Sequence, residues 1–489
     1  MRTRLIVPLL FLATLGGCRG SGNASGDVDT ALLHRAGGDV LLASGDRIDY
    51  EITYTPSGTP GTEVGKKTIL PINAGGTIGM DDIVKAWYGS GLLDESGVGS
   101  LEIRPTGSIP ANATVASSRT YAVQADGSTL GQFIPALGLD KFIGNFQQDS
   151  LAKISLQQIA NNDQFRTNVG FVEGSGHPVD FTVRLLRADG AQLATVNKSL
   201  PAYGHEQTSL IGLFGNIPLN DGRIEVTVNS ASGKTTAYAS VIDNNTSDPL
   251  AIFPTQAERL SSQTYVVPGI AEVSSSFSNF HSDMRIFNAS QQAVTLDLKY
   301  YPLGSVNGTP SITPLTIQPG QVSALDNILP TIFNLTNTGG AVTVTAPQSA
   351  SLVLTARTFS READGGTYGQ FIPGVTASEA TGLGERGIEL LQLEQSDFYR
   401  TNVGIVEVTG KPVYLEITAE SPQSKVTRVV NLGLDGHQFV QGSTFRDMGF
   451  DTVYNGRITI RVVGGEGRVA AYGSVIDART ADPTYVPAQ

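Results

Sequence analysis

Apolar and polar residues alternate strictly along the stretch Val294-Thr295-Leu296-Asp297-Leu298-Lys299-Tyr300. A period of two buries one face of a strand and leaves the other in water, which is typical of antiparallel sheets. A turn rich in Gly, Pro and Asn follows, and similar alternating runs recur along the chain, separated by turn residues. The pattern therefore predicts an all-β fold of antiparallel β-sandwiches.

Three motifs occur twice in the sequence, the second copy about 234 to 238 residues after the first, and such self-similarity indicates a repeat architecture. The pairs are FRTNVG at Phe165–Gly170 and YRTNVG at Tyr399–Gly404, AYASVID at Ala237–Asp243 and AYGSVID at Ala471–Asp477, and GQFIP at Gly131–Pro135 and again at Gly369–Pro373. The chain is therefore at least a duplication.

Each half divides again, because an apolar residue followed by proline closes four segments of roughly 115 residues, a length typical of one sandwich. These steps are Ile134-Pro135, Phe253-Pro254, Ile372-Pro373 and Val486-Pro487. A propeller blade would repeat at roughly 40–50 residues, so the spacing disfavours a propeller. Each segment also contains one short helical stretch. The sequence predicts four tandem immunoglobulin-like antiparallel β-sandwiches in the order A-B-A-B, each with a short helical crossover.

We call the four predicted modules A1 (29–138), B1 (139–255), A2 (264–376) and B2 (377–489). The linkers are short and contain Pro254 and Pro373, which favours a semi-rigid rod or a pair of packed A-B units. A1 has no clear sequence counterpart of Ser282–Asn288, so we expect its opening strand to be diverged or missing.

The first residues have the composition of a targeting segment. Basic Arg2 and Arg4 precede an apolar run, Leu5 to Leu15, of the length found in signal peptides. The run ends in Leu15-Gly16-Gly17-Cys18, which resembles the lipobox of bacterial lipoproteins. The alternative is an ordinary secretory signal with an incidental cysteine.

The lipobox resemblance implies cleavage before Cys18, which becomes the lipidated N-terminus and holds the protein to a membrane. Residues 1–17 are then the signal peptide, and residues 18–28, small and polar, form a flexible tether. The implied location is the bacterial cell envelope, at the outer membrane or the cell surface.

Charge and cysteine content exclude some classes of protein. The 489-residue chain has 33 Lys and Arg against 45 Asp and Glu, a formal charge of −12. Nucleic acid is bound through basic surfaces, so a nucleic-acid partner is excluded. The single Cys excludes internal disulfides and cysteine-rich zinc modules.

The tandem modules resemble the immunoglobulin-like modules of secreted and surface-attached bacterial proteins. That resemblance implies a spacer, an adhesive segment or an accessory domain. It rests on architecture and carries no catalytic motif, so it implies no particular chemistry.

The closing hairpins contain the residue types of a calcium site. Asp243 and Asp248 lie five residues apart around a turn, and Ca²⁺ takes about six to eight oxygen ligands. The second copy retains Asp477 and Asp482 but places Ala478 and Arg479 where the first has asparagines. Capping of the turn by the aspartates explains both copies without a metal. We therefore expect no cofactor, with calcium at Asp243 and Asp248 as the alternative.

Trp87, the only tryptophan, precedes Tyr88 and a Gly/Ser-rich loop that only A1 has. Both aromatics are candidates for contacting a ligand, because exposed rings stack on sugars and anchor partners. The alternative, which we favour, is that Trp87 covers the core from the short helix. His205 and His437 follow glycines at matching places of B1 and B2, and we interpret them as turn residues rather than ligands.

Several polar residues are retained between copies: Arg119 with Arg357, Arg166 with Arg400, and Asn168 with Asn402. A residue retained between internal copies marks either what the fold needs or a repeated binding pocket, and we favour the fold. Neither a nucleophile elbow, a zinc-protease helix nor a phosphate-binding loop occurs in the sequence.

The sequence predicts a non-catalytic, lipid-anchored envelope protein that acts as a scaffold or interaction module toward a protein or glycan partner. One alternative is an adhesin or carbohydrate-binding lipoprotein. The other is a hydrolase whose active site is built on the sandwich loops.

Overall fold

The computed structural model describes residues 5–9, 35–40, 47–61, 66–88, 97–107, 114–145, 153–255, 261–274, 279–310 and 314–489. Strands dominate these residues, and all their pairings between named strands are antiparallel. The all-β prediction is confirmed.

The strands of the first half form two pairs of sheets. One pair, with strand orders β4-β3-β6-β1-β9 and β5-β2-β7-β8, contains β1 (Leu5–Leu9), β2 (Arg35–Val40), β3 (Arg47–Pro56), β4 (Lys66–Asn73), β5 (Met80–Asp81), β6 (Gly99–Pro105), β7 (Thr114–Val123), β8 (Thr129–Pro135) and β9 (Leu137–Gly138). The next pair, β10-β15-β12-β13 and β14-β11-β16-β17, contains β10 (Lys153–Asn161), β11 (Phe165–Glu173), β12 (Val179–Arg187), β13 (Gln192–Leu200), β14 (His205–Ser209), β15 (Leu219–Val228), β16 (Thr235–Asp243) and β17 (Pro249–Ile252).

The second half repeats this plan. A2 contains β18 (Ser261–Ser274), β19 (Asn279–Asn288), β20 (Val294–Pro302), β21 (Leu315–Ile317), β22 (Val322–Leu325), β23 (Thr338–Arg361) and β24 (Thr367–Pro373). The long β23 pairs with β18 and β20 through its first part, and with β19 and β24 through its second. The sheets of B2 are β25-β30-β27-β28 and β29-β26-β31-β32, built from β25 (Ile388–Gln395), β26 (Tyr399–Glu407), β27 (Val413–Ser421), β28 (Val426–Leu434), β29 (Phe439–Gly442), β30 (Val453–Gly465), β31 (Val469–Asp477) and β32 (Pro483–Pro487).

Each module has a short helix that crosses between its two sheets, as the sequence predicts. These helices are α1 (Ile83–Trp87), α2 (Leu210–Phe214), α3 (Ile328–Ile332) and α4 (Thr444–Asp447). Each helix buries at least one apolar side chain near its start, namely Ile83, Leu210, Ile328 with Leu329, and Phe445. These side chains close one end of each hydrophobic core.

The repeated motifs meet local requirements of the B modules. Thr167 donates from Oγ1 to the carbonyl oxygen of Ala160 at 2.6 Å, which ties β11 to the irregular part of β10. Gly170 allows the ring of Tyr238 to cross it, since a Cβ there would lie 2.1 Å from that ring. Gly404 and Tyr472 repeat this contact at 2.4 Å. A larger residue at either glycine would displace the tyrosine.

A1 does have an opening strand, so of the two expectations, a diverged strand or a missing one, only the missing strand is wrong. β2 pairs with β7 through Gly37 and Ser117, as β19 pairs with β23 through Arg285 and Thr355. This strand is difficult to predict from the sequence, because Arg35–Val40 is short and contains two glycines.

The four modules close on one another, so of the two predicted arrangements, a semi-rigid rod or packed A-B units, the rod is wrong. One hydrogen bond from each junction shows the closure: Gly58 N to His205 O (2.7 Å), Thr367 N to Asp243 Oδ2 (3.0 Å), Gln438 Nε2 to Gly304 O (2.9 Å) and Arg457 Nη1 to Gly75 O (3.0 Å). The last of these joins B2 to A1. The modules therefore form a ring in which each one contacts its two neighbours.

Among the described residues, no helix is long and apolar enough to span a membrane.

Candidate functional site

The ring is joined at its centre by the GQFIP motif, in which three consecutive side chains enter three different modules. In the first copy, Ile134 packs in the core of A1. Phe133 is 2% exposed and packs in the core of B2. Gln132 accepts a hydrogen bond from Ser240 of B1 through Oε1, at 3.1 Å. One five-residue motif thus joins A1 to both B modules.

The second copy of the motif makes the same contacts with the B modules exchanged. Ile372 packs in the core of A2, and Phe371 packs in the core of B1. Gln370 accepts a 2.9 Å hydrogen bond from Ser474 of B2. The two copies are therefore related by an approximate two-fold arrangement.

Asp243 and Asp477 fix the same junctions from the B side. Oδ2 of Asp243 accepts hydrogen bonds from the backbone nitrogen (3.0 Å) and the hydroxyl (2.7 Å) of Thr367 in A2. Its Oδ1 accepts a 2.8 Å bond from the Asn245 nitrogen within its own turn. Asp477 accepts a 3.1 Å bond from the nitrogen of Thr129 in A1. Both Asp243 oxygens thus already have donors, and the calcium hypothesis stays untested.

Asp248 and Asp482 meet where the two halves adjoin. Both side chains are buried, and they lie close enough to hydrogen-bond to each other. Oδ2 of Asp248 accepts the Gly369 nitrogen at 3.0 Å, whereas Oδ1 of both residues has no donor among the described residues. Two facing carboxylates repel, whereas a proton held by one of them allows it to donate a hydrogen bond to the other.

Burial is the main cause of the raised pKa values of this pair. It raises the pKa of Asp248 to about 8 and raises that of Asp482 well above its ordinary value. Arg357 opposes the shift at Asp248, and Arg119 opposes it at Asp482. The pair therefore holds a proton under conditions in which an exposed aspartate has lost it.

The repeated arginines line the same junctions. Arg119 donates to Thr129 Oγ1 at 2.9 Å and lies 5.8 Å from the ring centre of Tyr399 in B2. Arg357 donates to Thr367 Oγ1 at 2.6 Å and lies 5.0 Å from the ring of Phe165 in B1. Arg119 and Arg357 thus pack at the junctions between modules, where they have a structural role. This agrees with our interpretation that retained residues are those the fold needs.

The predicted ligand residues Trp87 and Tyr88 separate in the structure. Trp87 is 40% exposed, so the interpretation that it covers the core is wrong. Tyr88 is buried, stacks on Tyr54 at 5.5 Å and donates to the carbonyl oxygen of Ile52 at 3.1 Å. Ile83 takes the core position, because it enters the helix one turn earlier. Of these two aromatic residues, Trp87 is the one whose side chain is exposed to a ligand.

Cys18, the predicted lipidation site, lies outside the described residues, as does the whole predicted tether.

His205 and His437 do not occupy matching places. His205 pairs with Val172 across β14 and β11, and the residue that pairs with the equivalent Val406 is Phe439. His205 bonds to the Tyr238 hydroxyl through Nε2 at 2.8 Å, and burial lowers its pKa to about 3. His437 lies two residues earlier, with a positive φ of 62°. Among the described residues, no group of three or more His, Cys, Asp or Glu side chains is arranged to hold a metal.

A cavity of about 300 Å³ lies where B2 meets A1, lined by Gly75, Thr77, Leu391, Gln392, Glu420, Ser421, Pro422, Lys425, Val426, Thr427, Asn455, Gly456 and Arg457. The side chain of Gln392 is buried there and has no hydrogen-bond partner within the described part of the chain. At the equivalent junction of B1 and A2, Gln158 donates to Thr355 Oγ1 at 2.8 Å. The lining includes Glu420, Ser421 and Lys425 but no histidine, so it does not contain a serine–histidine–aspartate triad.

The sequence did not indicate that Gln132, Phe133 and Asp482 form contacts between modules. Their signal was present in the repetition of GQFIP and of the Asp-Pro step. Repetition alone does not reveal that the contacts of one motif are divided among three modules.

No family model matches the sequence. No curated protein matches it either. Among solved structures, the chain is similar to one titled "Biofilm associated protein - BSP domain", at 11% identity and a TM-score of 0.14, over 96% of this chain and 98% of that one. A TM-score this low carries no argument about function.

Proposed function

We propose that the protein is a non-catalytic, lipid-anchored component of the bacterial cell envelope that acts as a scaffold or interaction module. One observation carries the proposal: the polar residues retained between the copies hold the modules together. Ser240, Ser474, Asp243 and Asp477 all bond across a junction between modules. What the duplication preserves is thus a closed ring.

Differences between copies are the better guide to a binding surface. Tyr414 of B2 is 60% exposed, and the residues paired with it on the neighbouring strands are Gly433 and Gly464. Its ring therefore stands uncovered on the outer face of the sheet. Val429 lies on the same face and is 53% exposed. At the place of Tyr414, B1 has Asp180, whose carboxylate accepts a hydrogen bond from Ser199 at 2.5 Å.

An exposed aromatic on a sheet face that also exposes an aliphatic side chain suits a protein or glycan partner, because rings supply apolar area and stack on sugars. The B2 face is accordingly our proposed contact surface. Exposed Trp87 supports the second candidate, an adhesin or carbohydrate-binding lipoprotein.

Membrane attachment is tested by Cys18→Ser. We expect the variant to keep its signal peptide and to lose the lipid, because the acyl chains are attached through the cysteine sulfur. Fractionation of cells and mass measurement of the N-terminal peptide read out both effects. Unchanged processing and lipid content would show that the lipoprotein assignment is wrong.

Partner binding is tested with the chain from Arg19 onward, immobilised and exposed to envelope extracts. We expect Tyr414→Ser to reduce the recovered partner at least about tenfold, as loss of a central aromatic anchor does. Asp180→Ser, at the equivalent place of B1, is the matched control and should leave recovery unchanged. Recovery of neither protein nor glycan would refute the interaction role.

A further inference from the structure

The strand β1 occupies an interior place in the first sheet of A1, between β6 and β9. Leu5 pairs with Ile103, and Val7 pairs with Leu101, in an antiparallel register. On its other side, Ile6 pairs with Leu137. β1 is thus the only described strand that joins β6 to β9.

In A2, the same place is taken by β18. Tyr265 pairs with Val344, and Val267 pairs with Val342. On the other side, Val266 bridges to Val375. The two strands also share a pattern of three large apolar residues and a proline, Leu5-Ile6-Val7-Pro8 and Tyr265-Val266-Val267-Pro268. β1 therefore does in A1 what β18 does in A2.

The two strands differ in what signal-peptide cleavage does to them. β18 lies inside the body of the chain, whereas β1 lies within residues 1–17, upstream of the predicted cut before Cys18. Removal of the signal peptide takes β1 away from β6 and β9. The edge of β6 then has unpaired N–H and C=O groups, which readily accept another strand.

We propose that, in the processed protein, the free edge of β6 accepts an extended aliphatic segment of a partner protein as an added β-strand. This inference rests on the proposed lipoprotein processing. Strand addition uses main-chain hydrogen bonds for affinity and alternate side chains for specificity.

The chemistry of the accepted segment follows from the strands that fill this place. The segments that fill it, residues 5–8 and 265–268, are apolar. The residues of β6 that pair with β1, Leu101 and Ile103, are buried in the A1 core. Between these, Glu102 is neutralised by Arg104 at 2.6 Å. The edge therefore offers an incoming strand no uncompensated charge. Among the described residues, a second processed copy has no free strand of this kind, because its β1 is removed and its β18 is already paired with β23.

Hydrogen exchange of the processed protein, extracted from membranes with detergent, tests the proposal. The probe is a synthetic peptide with the sequence of residues 4–10. The control peptide has the same sequence with N-methyl groups on alternate residues, which remove the hydrogen-bond donors of one edge. Residues 340–346 of A2, whose neighbour β18 is retained, are the internal reference.

We expect residues 99–105 to exchange at least about tenfold faster than residues 340–346, because free edges open more readily. The probe peptide should remove this difference, and the N-methylated peptide should not. Protection of residues 99–105 without peptide, no response to the probe, or equal slowing of both segments would overturn the proposal.

The mass of the N-terminal peptide separates the two levels of inference. A lipidated Cys18 with an unresponsive β6 edge would overturn strand addition alone. Retained residues 1–17 would overturn both the anchor and the acceptor edge, because β1 would then fill its place permanently.

Discussion

Ser474 donates a 2.9 Å hydrogen bond to Gln370, while the next residue, Phe371, is buried in the core of a different module. The neighbouring side chains of Gln370 and Phe371, both in A2, thus contact opposite B modules. Ser240, Gln132 and Phe133 repeat the relationship in the other half. The stability of each B module therefore depends on both A modules.

Phe371→Ala should lower the free energy of unfolding by about 3–5 kcal/mol, as expected when a buried phenylalanine leaves a cavity. The loss should be largest in B1, although Phe371 belongs to A2. Chemical denaturation combined with hydrogen exchange measures both effects. Leu383→Ala, at a side chain that is 58% exposed, is the control and should change stability by less than about 0.5 kcal/mol. Destabilisation confined to A2 would contradict the assignment.

The Asp248–Asp482 pair predicts that stability falls as pH rises. The pKa of Asp248 is raised to about 8 in the folded protein, so the folded state binds the proton more tightly than the unfolded one. The contribution is fully present below the unfolded pKa near about 3.9 and is lost as pH rises toward 8, at about 1.4 kcal/mol per pH unit for one proton.

Asp482→Asn is the matched variant, since its amide donates a hydrogen bond to Asp248 without a shared proton. We expect urea unfolding between pH 4 and 8 to show a smaller loss of stability in the variant than in the parent. Parallel curves would show that the pair does not share a proton.

His205→Phe should stabilise the protein in acid. Burial lowers the pKa of His205 to about 3 in the folded protein. In the unfolded state, where its pKa is about 6.5, the histidine binds a proton that it does not bind in the folded state. Stability is therefore lost as pH falls below about 6.5, and the phenylalanine found at the equivalent Phe439 removes this loss. The melting temperature of parent and variant at pH 7 and pH 4.5 measures the effect. A variant that is equally sensitive to acid would contradict it.

Tyr88→Ala should cost about 3–5 kcal/mol, because a buried aromatic is removed from the A1 core. Trp87→Ala should cost less stability than Tyr88→Ala, since Trp87 is 40% exposed and lies outside the A1 core cluster. Thermal unfolding compares the two variants directly. If Trp87 contacts a glycan, Trp87→Ala should also abolish retention on an affinity column of that glycan. Similar destabilisation by both variants would refute the separation of their roles.

Calcium should leave the melting temperature unchanged when it is added at millimolar concentration and then removed with a chelator. The reason is that Asp243 already accepts hydrogen bonds at both oxygens and Asp248 faces Asp482. A rise in melting temperature that Asp243→Asn abolishes would establish the calcium alternative.

The alternation at Val294–Tyr300 and the repeated motifs were enough to predict antiparallel β-sandwiches with short helical crossovers. They were not enough to predict how the modules join. From the sequence, residues 131–135 look like the end of a single strand. Periodicity indicates which side chains are buried, but it does not indicate in which module's core they are buried. The same limit misplaced Trp87, since a short helix allows either Ile83 or the tryptophan to face inward. His205 and His437 were mispaired because matching glycines preceded both.

The exchange of Phe133 and Phe371 between halves has the geometry of an isologous dimer, in which each copy inserts the same residue into the other. Here the two copies are joined in one polypeptide. Assembly of the halves is thus an intramolecular step that does not depend on protein concentration. A single A-B half would have an open place in its B core, and two such halves would fill it in each other.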